Sequence, residues 1–360
     1  MVASDAAGWQ SNLSAAVEEI KRQGGSQQSD AYQLARAVLV LACDDEMFRL
    51  RFQEKFAECV CPDEVSLDYP HIRCEIRTNF RAGVSLVSFS NPELLDPVAF
   101  AMSLLPDREY VQVLPGDDGW RLLAPRSNPS TPILAFRGNN VLVDRHQSWQ
   151  MIVAQYAVSN AMRLQKDVLF FHAASLALRE SGVMISGAKG AGKTTLSLTL
   201  ASRGHGFLGD EYAALRADTA EIIPMRTSAS VRSGPRTPKL DQFFTEHECQ
   251  SEVSVDGTGR VRARVSDIFP AARPRSVRLT HAFFLRRFSS RPRVEPIMPQ
   301  ARHLSLLSPL APSLWEASPG HRAIEFLKLL ANAQCFYLDV GGSPDDTADL
   351  VEKTVEESWV

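Results

Sequence analysis

The stretch that decides the fold is Gly187-Ala188-Lys189-Gly190-Ala191-Gly192-Lys193-Thr194-Thr195, a complete G-x-x-x-x-G-K-[ST] pattern. Before it runs Gly182-Val183-Met184-Ile185-Ser186, a short apolar run that predicts a buried strand. After it runs Thr195 to Arg203, which predicts the first helix of a βα unit, ended by Gly204. Glycine suits such a loop because successive backbone N–H groups must turn inward around a phosphate, where a Cβ would block the approach. The helix N-terminus adds roughly half a positive charge at the same spot. In this arrangement Lys193 reaches the β- and γ-phosphates and the Thr194 hydroxyl coordinates Mg²⁺. Gly187 to Thr195 are therefore candidate ligands of a nucleoside triphosphate.

The chain has 360 residues, enough for two or three domains, and its 44% apolar content is ordinary for a globular protein. No apolar run approaches the ~20 residues of a membrane span. Met1 to Gln10 lacks a basic region followed by an apolar core, so no signal peptide and no membrane partner are expected. Six cysteines are scattered, and Cys59-Val60-Cys61 lacks the paired spacing of a zinc site. Buried or free thiols in a reducing cytoplasm are the expectation. The net charge of −3 hides an asymmetry. From Arg226 to Arg293 stand fourteen Lys/Arg against six Asp/Glu, a surplus of eight that leaves about −11 elsewhere. Such a stretch reads as a solvated basic face or as a surface that receives phosphate or an acidic partner.

Along the chain, Ser4–Arg22 and Ser29–Ala42 read as helices by apolar spacing, with Gly24 and Gly25 between them. Asp44–Cys59 reads as an amphipathic helix with Met47, Leu50, Phe52 and Phe56 on or near one side. His71–Arg77 and Gly83–Phe89 alternate like half-buried strands. A helix is expected over Pro97–Leu105, then strands over Tyr110–Leu114 and Trp120–Ala124, then a hairpin from Ile133 to Asp144. Residues 1–145 thus predict a separate α+β domain that carries no chemical motif. Gln147–Leu164 reads as a helix leading into Asp167–Phe171, and that run and Ser175–Leu178 bracket His172. Beyond the loop helix, Phe207-Leu208-Gly209-Asp210-Glu211 places two carboxylates at a strand end, an arrangement suited to metal binding and proton transfer. The chain then reads as strands and loops to about Arg293, with a helix over Pro319–Leu330, a strand over Cys335–Val340 and a terminal helix over Ala348–Glu357.

His172, the loop, Arg203-Gly204-His205 and Asp210-Glu211 together resemble the C-terminal kinase domain of HPr kinase/phosphorylase. They are similar also to related bacterial serine kinases, including those that modify lasso-peptide precursors. The resemblance covers about residues 165–215. It implies an α/β fold: a P-loop kinase domain of the HPr kinase/PEP carboxykinase type at 146–360, behind an N-terminal α+β domain at 1–145. It also implies that His172 assists the site, that Lys193 holds the phosphates of ATP and that Thr194 binds Mg²⁺. In the family an Asp-Asp pair follows, one member serving as base toward a substrate serine. Asp210 stands on the first of the pair, as metal ligand or His172 partner, and Glu211 stands where the family usually carries Asp.

Three functions compete at this point. The first is an ATP-dependent kinase acting on a serine of a protein or peptide, with Arg226, Arg232, Arg236 and Lys239, and Ser228, Ser230 and Ser233 between them, as the surface that docks an acidic chain. The second is a P-loop NTPase, disfavoured because no Asn-Lys-x-Asp guanine-reading motif and no ABC-type signature occurs. The third is a non-catalytic nucleotide sensor. No nucleic-acid-binding motif stands behind the basic surplus, so no nucleic-acid partner is expected.

Overall fold

A computed structural model describes residues 13–23, 27–61, 69–90, 95–96, 100, 111–130, 132, 134–144, 149–232, 238–253, 259–300 and 319–357. The architecture is mixed α/β with two large sheets, divided into two units. Met1–Glu54 and Val60–Gln165 make the first, and Lys55–Cys59 and Lys166–Val360 make the second.

The first unit contains α1 (Leu13–Arg22), β1 (Gln28–Leu34), β2 (Ala37–Cys43), most of α2 (Glu46–Lys55), β3 (His71–Asn79) and β4 (Val84–Phe89). It continues through β5 (Val111–Pro115), β6 (Arg121–Pro125), β7 (Leu134–Arg137), β8 (Asn140–Asp144) and α3 (Trp149–Arg163). Its eight strands run in the order β1-β2-β3-β4-β8-β7-β6-β5. Leu13, Val17 and Ile20 recur at helical spacing on α1 and bury against Val84, Leu86 and Leu142 of the sheet and Trp120 just before β6.

Three expectations change here. Ser29–Ala42, read as a helix, is a two-strand hairpin in which Leu34 pairs with Ala37. Its turn residue Ala35 adopts φ +55°, and Ala35-Arg36 carries none of the Gly or Asn signals that mark such turns. Strand β2 is buried at six of seven positions, so it lacks the alternation that separates a strand from a buried helix. On α2 the buried face is Phe48, Phe52 and then Phe56 beyond it, while Met47 and Leu50 are exposed. The expected boundary at 145/146 also differs from the observed division, because α3 belongs to the first unit. There Tyr156 Oη donates to Leu95 O at 2.7 Å, and Gln165 just past the helix donates to Leu34 O at 2.9 Å. The expected helix over Pro97–Leu105 falls outside the described residues apart from Phe100, as does the start of the Ser4–Arg22 helix.

The second unit begins with β9 (Val168–Phe171), β10 (Ala173–Leu178), β11 (Ser181–Gly187), α4 (Lys193–Ser202), β12 (Gly206–Gly209), β13 (Ala213–Arg216) and β14 (Glu221–Ile223). A three-stranded sheet follows, built from β15 (Ala229–Arg232), β16 (Gln250–Val253) and β17 (Gly259–Ala263) with helices α5 (Pro238–Glu246) and α6 (Val265–Ile268). These two helices lie in a stretch expected to hold strands and loops alone. The unit closes with β18 (Val277–Ser289), β19 (Arg293–Ile297), α7 (Pro319–Ala331), β20 (Gln334–Gly341) and α8 (Pro344–Glu357).

The nine-stranded sheet follows β12-β10-β11-β18-β14-β13-β9, with β20 parallel to β18 and β19 on β20. Strand β11 is buried at all seven positions because both faces of the sheet are covered. Val183, Ile185 and Phe283 face Leu196 and Leu200 of α4 and Val351 and Val355 of α8. Met184, Ala282 and Phe284 point the other way, to Leu329 and Leu330 of α7. The strand that carries the glycine loop is thus held from both sides, which fixes where the loop begins.

Candidate active site

Strand β11 ends at Gly187 and α4 begins at Lys193, so the glycine-rich stretch has the strand–loop–helix setting its sequence predicts. Gly190 at φ +84° and Gly192 at φ +102° use the left-handed conformation that only glycine takes freely. A Cβ on Gly187 would stand 2.8 Å from Leu285 Cβ on the neighbouring strand. Ala188, Lys189 and Gly190 are exposed, whereas Lys193 is buried. The Lys193 ammonium folds back over the loop and donates to Gly187 O at 2.7 Å and Ala188 O at 3.3 Å. Burial lowers its pKa, with the Asp210 carboxylate opposing. A buried cation resting on neutral carbonyls beside a helix N-terminus has the charge to attract an anion.

Two chain corners meet beside this loop. Ser175 of β10 pairs with Gly209 of β12, and Phe171 of β9 pairs with Ala213 of β13 in the same antiparallel register. The residues between, His172 to Ala174 on one side and Asp210 to Tyr212 on the other, are therefore set against each other. Gly209 makes the tight corner possible: a Cβ there would lie 2.6 Å from Tyr212 O and 2.9 Å from Met225 O.

Asp210 is buried, and its Oδ1 accepts from Ser197 Oγ at 3.2 Å, while the Thr194 hydroxyl also hydrogen-bonds to it. Burial, with the neighbouring Glu211 charge adding to it, pushes its pKa up to about 6. A carboxylate and two hydroxyls form a hard-oxygen set that suits Mg²⁺. Among the described residues no cluster of three or more His, Cys, Asp or Glu side chains could hold a metal ion alone. Mg²⁺ commonly needs only one or two carboxylates, because water and substrate phosphates complete its shell.

Glu211 faces outward, its side chain 42% exposed, and its Oε2 lies 3.1 Å from Lys55 Nζ. That ammonium holds the carboxyl below the usual range. His172 Nδ1 stands 3.3 Å from the main-chain oxygen of Glu211, and burial together with the Lys193 charge lowers the imidazole pKa. Both influences favour the neutral imidazole. Its hydrogen-bond partner is Glu211, through the main chain. Lys193, Thr194, Asp210, Glu211 and His172 are brought together; Arg203 and His205 are not. Arg203 binds Asp345, Asp349 and Glu352 of α8, and His205 Nε2 lies 2.6 Å from Glu352. Those two residues fasten α4 to α8.

Sequence reasoning missed Lys55. The short segment Lys55–Cys59 belongs to the second unit. Lys55 O accepts from Ser228 N at 2.8 Å, Glu58 pairs with Arg226 at 2.7 Å, and Cys59 Sγ donates to Arg226 O at 3.0 Å. Burial pulls the Lys55 pKa down, but Glu211 and Tyr212 outweigh it and leave it raised. No local pattern marks a helix-terminal lysine as a partner for a carboxylate more than 150 positions away. Within the basic stretch, Arg226 is engaged by Glu58, and Arg262 on β17 acts electrostatically on both Glu211 and Lys55. Ser233 and Arg236 lie outside the described residues, and Lys239 lies on α5.

No family profile and no curated protein matches the chain. Among solved structures, the Hpr(Ser) kinase/phosphatase from Coxiella burnetii matches at a TM-score of 0.26 and 14% identity, covering 53% of this chain and 90% of that one. A TM-score that low constrains neither fold nor activity, so function rests on the site's own geometry.

Proposed function

We propose that the chain is an ATP-dependent phosphotransferase that moves the γ-phosphate to a serine hydroxyl of a protein or peptide. The observation that carries the reading is the meeting, within one unit, of the Lys193 loop, the buried Asp210 against Thr194 and Ser197, and the outward Glu211 beside His172. Loop N–H groups and Lys193 hold the triphosphate, replacing the carbonyl contacts that Lys193 makes now. Thr194 and Asp210 hold Mg²⁺, which would neutralise charge on the phosphate oxygens. Glu211, on the open side, receives the proton of the acceptor hydroxyl. A pKa held low by Lys55 makes Glu211 a weak base. Phosphoryl transfer passes through a loose transition state that demands positioning more than proton abstraction, so exposure and placement decide the role over basicity. Neutral His172 steadies the main chain at Glu211.

Arg262 and the neighbouring basic residues would draw an acidic acceptor chain toward Glu211, chiefly by raising the on-rate. Incubation with γ-labelled ATP, Mg²⁺ and candidate peptides or lysate tests the reading. Label on protein is the expected result. Free phosphate alone would make the chain an NTPase, and tight nucleotide binding without either product would make it a sensor.

A further inference from the structure

Strand β18 pairs with β11 as far as Leu285, opposite Gly187, and then overruns it by four residues to Ser289, where Phe288 and Ser289 pair with Val340 and Gly341 of β20. That overrun passes alongside the glycine loop. Its Phe288 is a large apolar side chain 53% exposed to solvent. The ring edge lies 3.9 Å from where a Cβ on Gly192 would stand, with Val340 Cγ1 at 4.0 Å from the same point. Phe288 and Val340 are partners in the β18–β20 register, so they flank the start of α4 together.

The overrun is rigidly held. Just before Phe288, Arg286 and Arg287 both bind Asp339, which is 1% exposed: Arg286 Nε and Nη2 donate at 2.8 and 3.0 Å, and Arg287 Nε at 3.2 Å. Arg286 is also tied to Glu295 and lies over the Tyr337 ring at 5.1 Å. A buried carboxylate with three charge-assisted bonds fixes its partners strongly. The aromatic ring is thus presented from a braced strand end rather than from a free loop.

Direction supplies the rest. Strand β11 has β10 on one edge and β18 on the other. The Asp210–Glu211 corner follows β12, which pairs with β10. Asp210 meets α4 at Thr194 and Ser197, and Phe288 meets the loop at Gly192, the residue before α4 begins. A triphosphate seated on the loop with its γ end at Asp210 and Glu211 leaves its nucleoside end for the exposed ring beside Gly192.

We propose that Phe288, backed by Val340, is the platform on which the base of the bound nucleotide stacks. The inference rests on the phosphotransferase reading, since it takes the loop as the triphosphate seat. Every base has a π face, so stacking on Phe288 adds affinity while tolerating different bases. The probes are ATP and inorganic tripolyphosphate, which share the phosphate chain and differ in the nucleoside, each titrated with Mg²⁺ into the 360-residue chain by calorimetry. Phe288→Ala is expected to weaken ATP about tenfold or more while leaving tripolyphosphate within twofold of wild type. Phe288→Trp is expected to keep ATP affinity and to show a fluorescence change with ATP that tripolyphosphate does not produce. Equal weakening of both probes in Phe288→Ala, or unchanged ATP affinity, would overturn the platform while leaving the loop's role intact. Wild-type protein that binds neither probe would overturn the phosphotransferase reading and the platform with it.

Discussion

The ammonium of Lys55 stands 3.1 Å from Oε2 of Glu211, and its Nζ also lies 6.0 Å from the centre of the Tyr212 ring. The lysine comes from a segment anchored in the second unit at Ser228, Arg226 and Ser266. Glu211 is thereby held at both ends, its side chain by Lys55 and its main-chain oxygen by His172.

Lys55→Met releases the Glu211 side chain. An orientation error near 1 Å can cost about 100-fold in rate. The expected outcome is a fall in kcat of that order with little change in KM for ATP, and recovery in Lys55→Arg. In a Glu211→Gln background the same substitution should add no further loss, because both changes act through one carboxylate. Additive losses in that double-mutant cycle would separate Lys55 from Glu211.

Asp210 and Glu211 should fail differently. Asp210→Asn removes a buried charge, so the ligand-free protein should gain a few degrees in Tm while losing Mg²⁺-dependent transfer. Glu211→Gln should lower kcat by 10²- to 10⁴-fold with ATP affinity preserved. Mild, equal losses in both variants, with no change in Tm, would dissolve this division of labour.

Gly209→Ala places a methyl 2.6 Å from Tyr212 O and 2.9 Å from Met225 O, both rigid backbone atoms. Overpacking of this kind costs about 1–3 kcal/mol. The corner that carries the carboxylates must move to accept it, so kcat should fall along with Tm. Thermal melts and turnover on the same preparation check both halves.

How far the chain could be read follows from where each signal resides. The loop was legible because Gly190 and Gly192 answer a local backbone demand, at φ +84° and +102°. His172 and Asp210-Glu211 could be singled out by position relative to the loop, but their meeting depends on the β10–β12 and β9–β13 register, which is tertiary. Lys55 was invisible for the same reason. The β1–β2 hairpin was misread because a fully buried strand loses its alternation and its turn uses Ala35 rather than glycine. Phe52 and Phe56, four residues apart, were legible as a buried face, whereas Met47 and Leu50, expected beside them, are exposed and Phe48 takes the buried place instead.

His281 gives a pH prediction independent of catalysis. It is 3% exposed, its ring stacks with those of Phe283 and Phe336 at 6.5 and 6.3 Å, and Nε2 has no hydrogen-bond partner among the described residues. Burial lowers its pKa from 6.5 to about 4. Between those values the unfolded chain binds the extra proton, so this stability is full above pH 6.5 and is lost as pH falls toward 4. The shift is worth on the order of 3 kcal/mol. Denaturant titrations from pH 7 to 4 should show a decline that His281→Phe reduces by that amount. An identical pH slope in the variant would mean other groups carry the acid sensitivity.

The central claim is that the Lys193 loop is the seat of phosphoryl transfer to a protein hydroxyl. Wild type and Lys193→Ala should be incubated side by side with γ-labelled ATP, Mg²⁺ and candidate acceptor peptides, and the label on protein or peptide counted. Wild type should transfer label and Lys193→Ala should transfer none, because the β- and γ-phosphates lose the cation placed to hold them. Near-normal transfer by Lys193→Ala, or release of free phosphate alone by wild type, would contradict that claim.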